Sequence, residues 1–299
     1  MNISFQQLSV FVAAARAGSL GAAAQRCGVS SAAASMALSV LEREAGGPLF
    51  TRAARGLQLN DRGRRLLPGA EGLVLGAEEW LASARGQPGE LVGELRVGCS
   101  MTIGNYCLPS LIPSFTSLYP KARVSLRITN SREVCAGLQS GLIDLGLIES
   151  DRIPHELESE LWAMDQMLVV APAGHALASK PVMRRSALGG QTWLVREPGS
   201  GTREIAEDFC RSLPSFAALI EMGGAEAIKR GVAAGMGLAL LSKHTVAQEL
   251  GSGQLVSLAV KGTPRRKFSI VRFPGQHMSS LNSGFRVWLL KHPPLKSAF

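Results

Sequence analysis

The sequence predicts a chain in three parts: an all-α head with a small β-hairpin, one long helix, and an α/β body. Three observations predict it. Short helical segments rich in Ala and capped by Ser fill the first fifty residues, and an apolar stripe at helical spacing runs from Leu66 to Ala84. Past "GQPGELVG" the pattern becomes strands alternating with helices.

Each element has its own local reason. Ser4 can cap a helix that carries Phe5, Leu8, Phe11, Val12 and Ala15 on one side and ends at Gly18. Ser19 caps a short helix through Arg26, in which Ala22, Ala23 and Ala24 allow close approach to the next one. Gly28 breaks the chain, Ser30 starts a third helix, and "GGP" ends it at Gly46 to Pro48. Helix, helix, tight turn, helix is the helix-turn-helix arrangement.

The third helix carries no charge between Ser30 and Val40. Such a bare face suits an approach to base edges in a major groove about 12 Å wide. Ser30, Ser31, Ser35 and Ser39 can donate to phosphates or bases, and Ala33 or Ala34 can meet a thymine methyl. The bland alternative is a close helix-packing face; the flanking helices and the hairpin favour DNA. That hairpin, two short apolar strands around Ala53 to Gly56, carries Arg52 and Arg55 as phosphate contacts.

Asn60 then caps the long helix, whose stripe is Leu66, Leu67, Ala70, Leu73, Val74, Ala77, Trp80, Leu81 and Ala84. Running to Arg85, it would be about 37 Å long. With no core of its own expected nearby, it is expected to pack against a copy of itself through Leu73, Ala77, Trp80 and Leu81.

In open α/β sheets ligands bind beyond the carboxyl ends of strands. "ELRVGCS" delivers Ser100, followed by Thr102 and Ile103 at a helix start, "IDLGLIE" delivers Glu149, and "WLVREPGSGTRE" delivers Arg196, Ser200 and Thr202. Hydroxyls and free N–H groups at two helix starts suit a carboxylate, phosphate or sulfate. Glu149 opposes a purely anionic pocket unless it meets a hydroxyl, an amine or Arg196. The expected ligand is therefore a small polar metabolite with an anionic group and a donor. The competing reading makes Ser100 and Thr202 simple N-caps.

Bulk properties narrow the function. At 299 residues and 46% hydrophobic, the chain can fill more than one core. The formal net charge of +9 suggests a polyanionic partner only weakly, because residues 250–299 hold eight basic residues and no acidic one. Five cysteines without a C-x-x-C pair predict buried, reduced thiols; Cys99 and Cys107 flank the ligand site, but ordinary burial is favoured over a redox switch. There is no H-E-x-x-H, G-x-S-x-G or Walker A sequence, and "GMGLA" precedes its strand where a dinucleotide fingerprint would follow one. No cofactor, no metal and no enzymatic activity are expected; a small-molecule enzyme with an accessory DNA-binding domain is the runner-up. A nucleoid-type structural DNA binder would leave the large α/β body unexplained. Neither a leader pattern nor a stretch of 18 apolar residues occurs, so a cytoplasmic protein without membrane contact is expected.

Residues 1–65 resemble the DNA-binding domain of LysR-type transcriptional regulators, and the whole chain follows that plan. The matching segments are "GSLGAAAQRCGVS", "LEREAGGPLFTR", "LQLNDRGRRLLP", "LRVGCS" and "AIKRGVAAGMGLALLS". "TIGNYCLPSLIPSF", "NSREV" and "IDLGLIES" look most like the branch that includes regulators of carbon fixation and sulfur assimilation. The resemblance implies a winged helix-turn-helix (1–60), a linker and dimerisation helix (61–86), a linker (87–93) and an effector domain (94–299). That domain would resemble type 2 periplasmic binding proteins, with subdomain I at 94–165 and 268–299 and subdomain II at 166–267. It further implies a homodimer or dimer of dimers on an inverted-repeat operator in double-stranded DNA, a small-molecule effector, and RNA polymerase as a candidate partner. One departure stands out: many members carry Gln-Pro at the positions of Ser31 and Ala32 and Arg or Lys at Met36. A cation lost there removes a contact worth roughly 1–3 kcal/mol if bidentate to a base, and shifts the load to Arg52 and Arg55.

Overall fold

A computed structural model describes residues 3–53, 56–84, 90–274 and 278–294. The head comprises α1 (Phe5–Ala17), α2 (Leu20–Arg26), α3 (Ser31–Glu44) and the hairpin β1 (Phe50–Ala53) with β2 (Gly56–Leu59). Its caps follow local chemistry. Ser4 and Gln7 form a reciprocal capping box, Ser19 Oγ accepts from Ala22 N–H, and Ser30 Oγ accepts from Ala33 N–H. Phe11 and Phe50 meet edge to face at 5.7 Å in a core that includes Val10, Ala23, Ala24, Ala34, Leu38 and Leu41.

The long helix α4 (Asp61–Ala84) starts where Asn60 Oδ1 accepts from Gly63 N–H at 2.9 Å. The expectation that it lacks a core is corrected at its first turns. Leu67 and Ala70 are buried in the head's apolar cluster, since their side of the helix faces α1. Further along, Leu73, Trp80 and Leu81 are 63%, 69% and 47% exposed.

The body contains β3 (Gly93–Ser100), α5 (Met101–Tyr106), α6 (Leu108–Leu118), β4 (Ala122–Thr129), α7 (Ser131–Gln139), β5 (Leu145–Ile148) and β6 (Glu158–Pro172). It continues with β7 (Thr192–Val195), α8 (Gly201–Arg211), β8 (Ala218–Glu221), α9 (Ala225–Ala233), β9 (Ala239–Ser242), α10 (Lys243–Ser252), β10 (Leu255–Leu258), β11 (Arg265–Arg272) and α11 (Ser280–Lys291). Alternation along the chain predicts parallel sheets, and β3 does pair in parallel with β4 and β5. The correction concerns β6 and β11. These two long strands pair antiparallel with each other, β11 also runs antiparallel to β5, and β6 carries β9 and β10 antiparallel at its far end. Together they join two lobes.

Side-chain alternation along these strands feeds layers on both sheet faces. In the first lobe, Leu95, Val97, Cys99, Leu147, Phe268 and Ile270 pack with Phe115, Phe285 and Trp288, while Val134, Leu138, Ile143 and Val271 cover the other face. In the second, Val169 and Ala171 join Trp193 and Phe209 on one face, and Val170 joins Ile228 and Val246 on the other. No helix among the described residues is long and apolar enough to cross a membrane.

Candidate functional site: an exposed helix face and an inter-lobe cleft

Helix α3 buries Ala34, Leu38 and Leu41, the i, i+4, i+7 positions that face α1 and α2. Ser31, Ala33, Ser35, Met36 and Ser39 are left exposed, Met36 at 72%. Ala34 is corrected as a thymine contact, since its methyl belongs to the core. Ser30 is exposed but already serves as the cap. Arg55 and the side chain of Arg52 lie outside the described residues.

The cleft is built by three chain ends. Strand β3 ends at Ser100 before α5, Glu149 immediately follows β5, and the turn after β7 leads into α8. Ser100, Thr102, Glu149, Arg196, Ser200 and Thr202 are all buried there. The lobes touch closely: a Cβ on Gly201 would lie 2.5 Å from Glu149 O, so only glycine lets α8 start against that peptide. Ser150 Oγ donates to Glu204 Oε2 at 2.6 Å, and Tyr106 Oη donates to Glu226 Oε1 at 2.5 Å, both across the lobes.

At the base lies a charged network that sequence reasoning missed. Arg266 on β11 and Asp165 on β6 are direct cross-strand neighbours, and Arg266 Nε donates to Asp165 Oδ2 at 2.7 Å. The same guanidinium donates to Thr202 Oγ1 at 2.8 Å and to Thr102 Oγ1 at 3.2 Å. Thr202 Oγ1 in turn donates to Glu149 Oε1 at 3.0 Å. Glu149 Oε2 lies 3.3 Å from Arg266 Nη2, an ion pair without hydrogen-bond alignment. Burial alone would lower the Arg266 pKa, but Glu149 and Asp165 hold it up, so the cation is firmly retained. A signal was present: Arg266 shares its strand phase with Phe268 and Ile270, and Asp165 shares its phase with Met167 and Val169.

Two expectations change here. Arg196 does not meet Glu149, because its guanidinium is held by Glu197 at 2.6 and 2.7 Å and reaches Met101. Ile103 packs its side chain into the first lobe's core, away from the cleft. The capping alternative also fails for side chains: Ser100 and Ser200 occupy N-cap positions without making a side-chain cap bond, and Thr202 is committed to the network. Among the described residues, Ser100 Oγ and Ser200 Oγ are buried with no hydrogen-bond partner. Burial pushes the Cys99 thiol up to about 12 and raises Cys107 as well, which leaves both thiols protonated and poorly nucleophilic. Within the described residues, no three His, Cys, Asp or Glu side chains group as metal ligands.

Fold and site together define a DNA-binding head joined by a helix to a two-lobed ligand-binding body. Residues 88–294 match the LysR substrate binding domain, and residues 5–64 match the bacterial regulatory helix-turn-helix protein, lysR family. The chain belongs to the LysR family of DNA-binding transcriptional regulators with an effector-binding domain. It is 36% identical to the transcriptional regulator YeiE of Escherichia coli, over 87% of each chain. It is 35% identical to CfxR of Cupriavidus necator over 97% of this chain and 92% of that protein, and 32% identical to the RuBisCO operon transcriptional regulator of Allochromatium vinosum over 97% and 96%. The resemblance to the carbon-fixation branch holds in the last of these. Such relatives are regulators by name, which sets the enzymatic alternative aside. Full-length OxyR of Pseudomonas aeruginosa shares the fold at a TM-score of 0.81, with 22% identity over 97% and 94% of the chains. The regulatory domain of Synechocystis CcmR, solved in complex with 2-PG, matches at 29% identity and a TM-score of 0.62, over 67% of this chain and 96% of that one.

Two expectations follow from the network. Arg266→Met would leave Asp165 and Glu149 buried without their cation and lower stability by about 3–5 kcal/mol, read by urea denaturation; an unchanged midpoint would show that the pair does not hold the crossover strands together. His244, whose ring lies 5.9 Å from that of Phe268, has its pKa depressed by burial and by Arg266 and Lys243, against the pull of Asp165. The unfolded chain therefore binds the proton first, and the stability His244 contributes is complete above about pH 6.5 and lost as pH falls toward its folded pKa. Melting scans should show a smaller loss between pH 7.5 and 5.5 in His244→Gln than in the wild type.

Proposed function

We propose that the regulator is controlled by a small polar metabolite bound between the lobes, carrying an anionic group and a hydrogen-bond donor. The observation that carries this reading is the pair of buried, partnerless hydroxyls of Ser100 and Ser200 at the starts of α5 and α8. A buried hydroxyl without a partner costs about 1–3 kcal/mol, which a ligand would return. An anion beside the start of α8 also meets the positive end of a helix. Arg266 is already matched by two carboxylates, so the anionic group is assigned to the hydroxyls and N–H groups, and the ligand's donor to Glu149 Oε2. The complex of CcmR with 2-PG supports an effector of this size and polarity.

On the DNA side, the exposed face of Ser31, Ala33, Ser35, Met36 and Ser39 enters the major groove, and Arg52 and Arg55 hold the backbone. The stripe of exposed Leu73, Trp80 and Leu81 with half-buried Ala77 pairs with a second copy, which sets two recognition helices on an inverted repeat. Separate apolar clusters support the division between head and body and lobes that meet near 165 and 267, while the head's cluster extends into the helix assigned to 61–86 through Leu67 and Ala70.

A thermal-shift screen tests the effector reading. Anionic metabolites, 2-PG among them, should raise the melting temperature of the wild type and do so far less for Ser200→Ala; a response confined to neutral or cationic compounds would refute it. Ser35→Ala should keep that response but lose about 1 kcal/mol of preference for a selected genomic duplex over a random one. Leu73→Asp places a charge in the pairing stripe and should give monomers in light scattering at micromolar concentration; a wild type already monomeric there would end the dimer reading.

A further inference from the structure

We propose that Glu71 of α4 couples the effector cleft to the DNA-binding head, as the central member of an ion-pair relay Arg16, Glu71, Arg96 and Asp144. Glu71 is 6% exposed, although it lies on a helix that exposes Leu73, Trp80 and Leu81 further along. On one side Arg16 of α1 donates Nε to Glu71 Oε1 at 3.0 Å. On the other, Arg96 of β3 brings Nη2 within 3.7 Å of the same oxygen. Arg96 is itself fixed by Asp144, whose Oδ2 accepts from Arg96 Nε and Arg96 N, both at 2.9 Å. Charges alternate from the head to the body, and the four sum to zero.

The body end of this relay shares its strands with the cleft, an inference that rests on the effector site proposed above. Arg96 and Ser100 lie on one strand, β3; Asp144 immediately precedes β5 and Glu149 immediately follows it. The two strands are parallel neighbours, pairing Val97 with Leu145 and Cys99 with Leu147. Relay residues therefore lie on the amino side of the effector residues along one pair of strands, Arg96 about 13 Å before Ser100 and Asp144 about 17 Å before Glu149 at ~3.3 Å per residue. Helix α7 gives a second link. Ser131 at its start accepts from Glu149 N–H at 3.4 Å, and the turn that ends it places Gly141 against Leu67 of α4.

The junction is poised rather than locked. Burial pushes the Glu71 carboxyl above the usual carboxylate range despite Arg16 and Arg96, so the closed seam holds a carboxylate whose desolvation its partners do not fully offset. A small cavity bordered by Arg64, Leu67, Glu71, Leu138, Gly141 and Phe273 lies at the seam. A shift of β3 or β5 moves Arg96 and Asp144, alters the match at Glu71, and reaches α1 through Arg16.

Hydrogen exchange on the full-length protein tests this without any ligand. Thr202→Val breaks the cleft network, and should change exchange in residues 67–74 and in α1 about fivefold in the wild-type background. The same change should vanish when Glu71→Gln is present. Should Glu71→Gln fold poorly, Arg16→Gln serves, because Arg16 is partly exposed and Arg96 still faces the carboxylate; it should spare the effect in residues 67–74 and abolish it in α1. Equal changes in all backgrounds, or none in α1 or α4 of the wild-type background, would overturn the proposal. The metabolite screen reads the effector site independently, so a failure there is distinct from a failure here.

Discussion

The body depends on one buried interaction, the guanidinium of Arg266 between Asp165 and Glu149. Fully desolvated charges are stable only when paired and hydrogen-bonded, so this pair dictates the register of the two strands that connect the lobes. Asp165 is fixed further by Ser242, whose Oγ donates to it at 2.9 Å from the end of β9. Both lobes are thereby tied to the same few atoms, and a rearrangement of the cleft must work on them.

The network also defines what the cleft can recognise. An arginine at the base of a ligand cleft would ordinarily be read as an anion receptor. Here Nε, Nη1 and Nη2 each already donate, to Asp165, Thr202 and Thr102, and two carboxylates outweigh its charge. Unspent capacity lies instead with two serine hydroxyls and the start of α8. Neutral donors at a helix start select by geometry as much as by charge, which fits a ligand with mixed polar groups better than a bare ion.

The head follows the opposite logic. Its core is closed by small and apolar residues, and the exposed face of α3 between Ser30 and Val40 is uncharged. On the DNA reading proposed above, direct contacts from Ser and Ala contribute little affinity, and phosphate contacts from the wing and the paired geometry of two heads supply the rest. With Met36 in place of a cation, that reliance grows. The helix between head and body serves both, burying Leu67 and Ala70 inward and presenting Leu73, Trp80 and Leu81 outward.

The sequence by itself determined the elements, because their causes are local. Ser4, Ser19, Ser30 and Asn60 cap helices wherever the chain lies, and the period of the apolar residues separates α4 from the strands after residue 93. It also placed Ser100, Glu149 and Thr202 at strand and helix ends, where the fold gathers them. Only the tertiary structure decided their partners. Asp165, 101 positions from Arg266, becomes its partner once β6 and β11 pair antiparallel, and Thr202, 64 positions away, meets it from the start of α8; no local pattern encodes either contact. For the same reason Arg196, a neighbour of the site in sequence, turned to the adjacent Glu197, and Glu71, one polar residue in an amphipathic helix, became a buried charge between two domains. Local propensity selects an element and its faces; long-range packing selects which charge meets which, because a Coulomb interaction depends on distance in space.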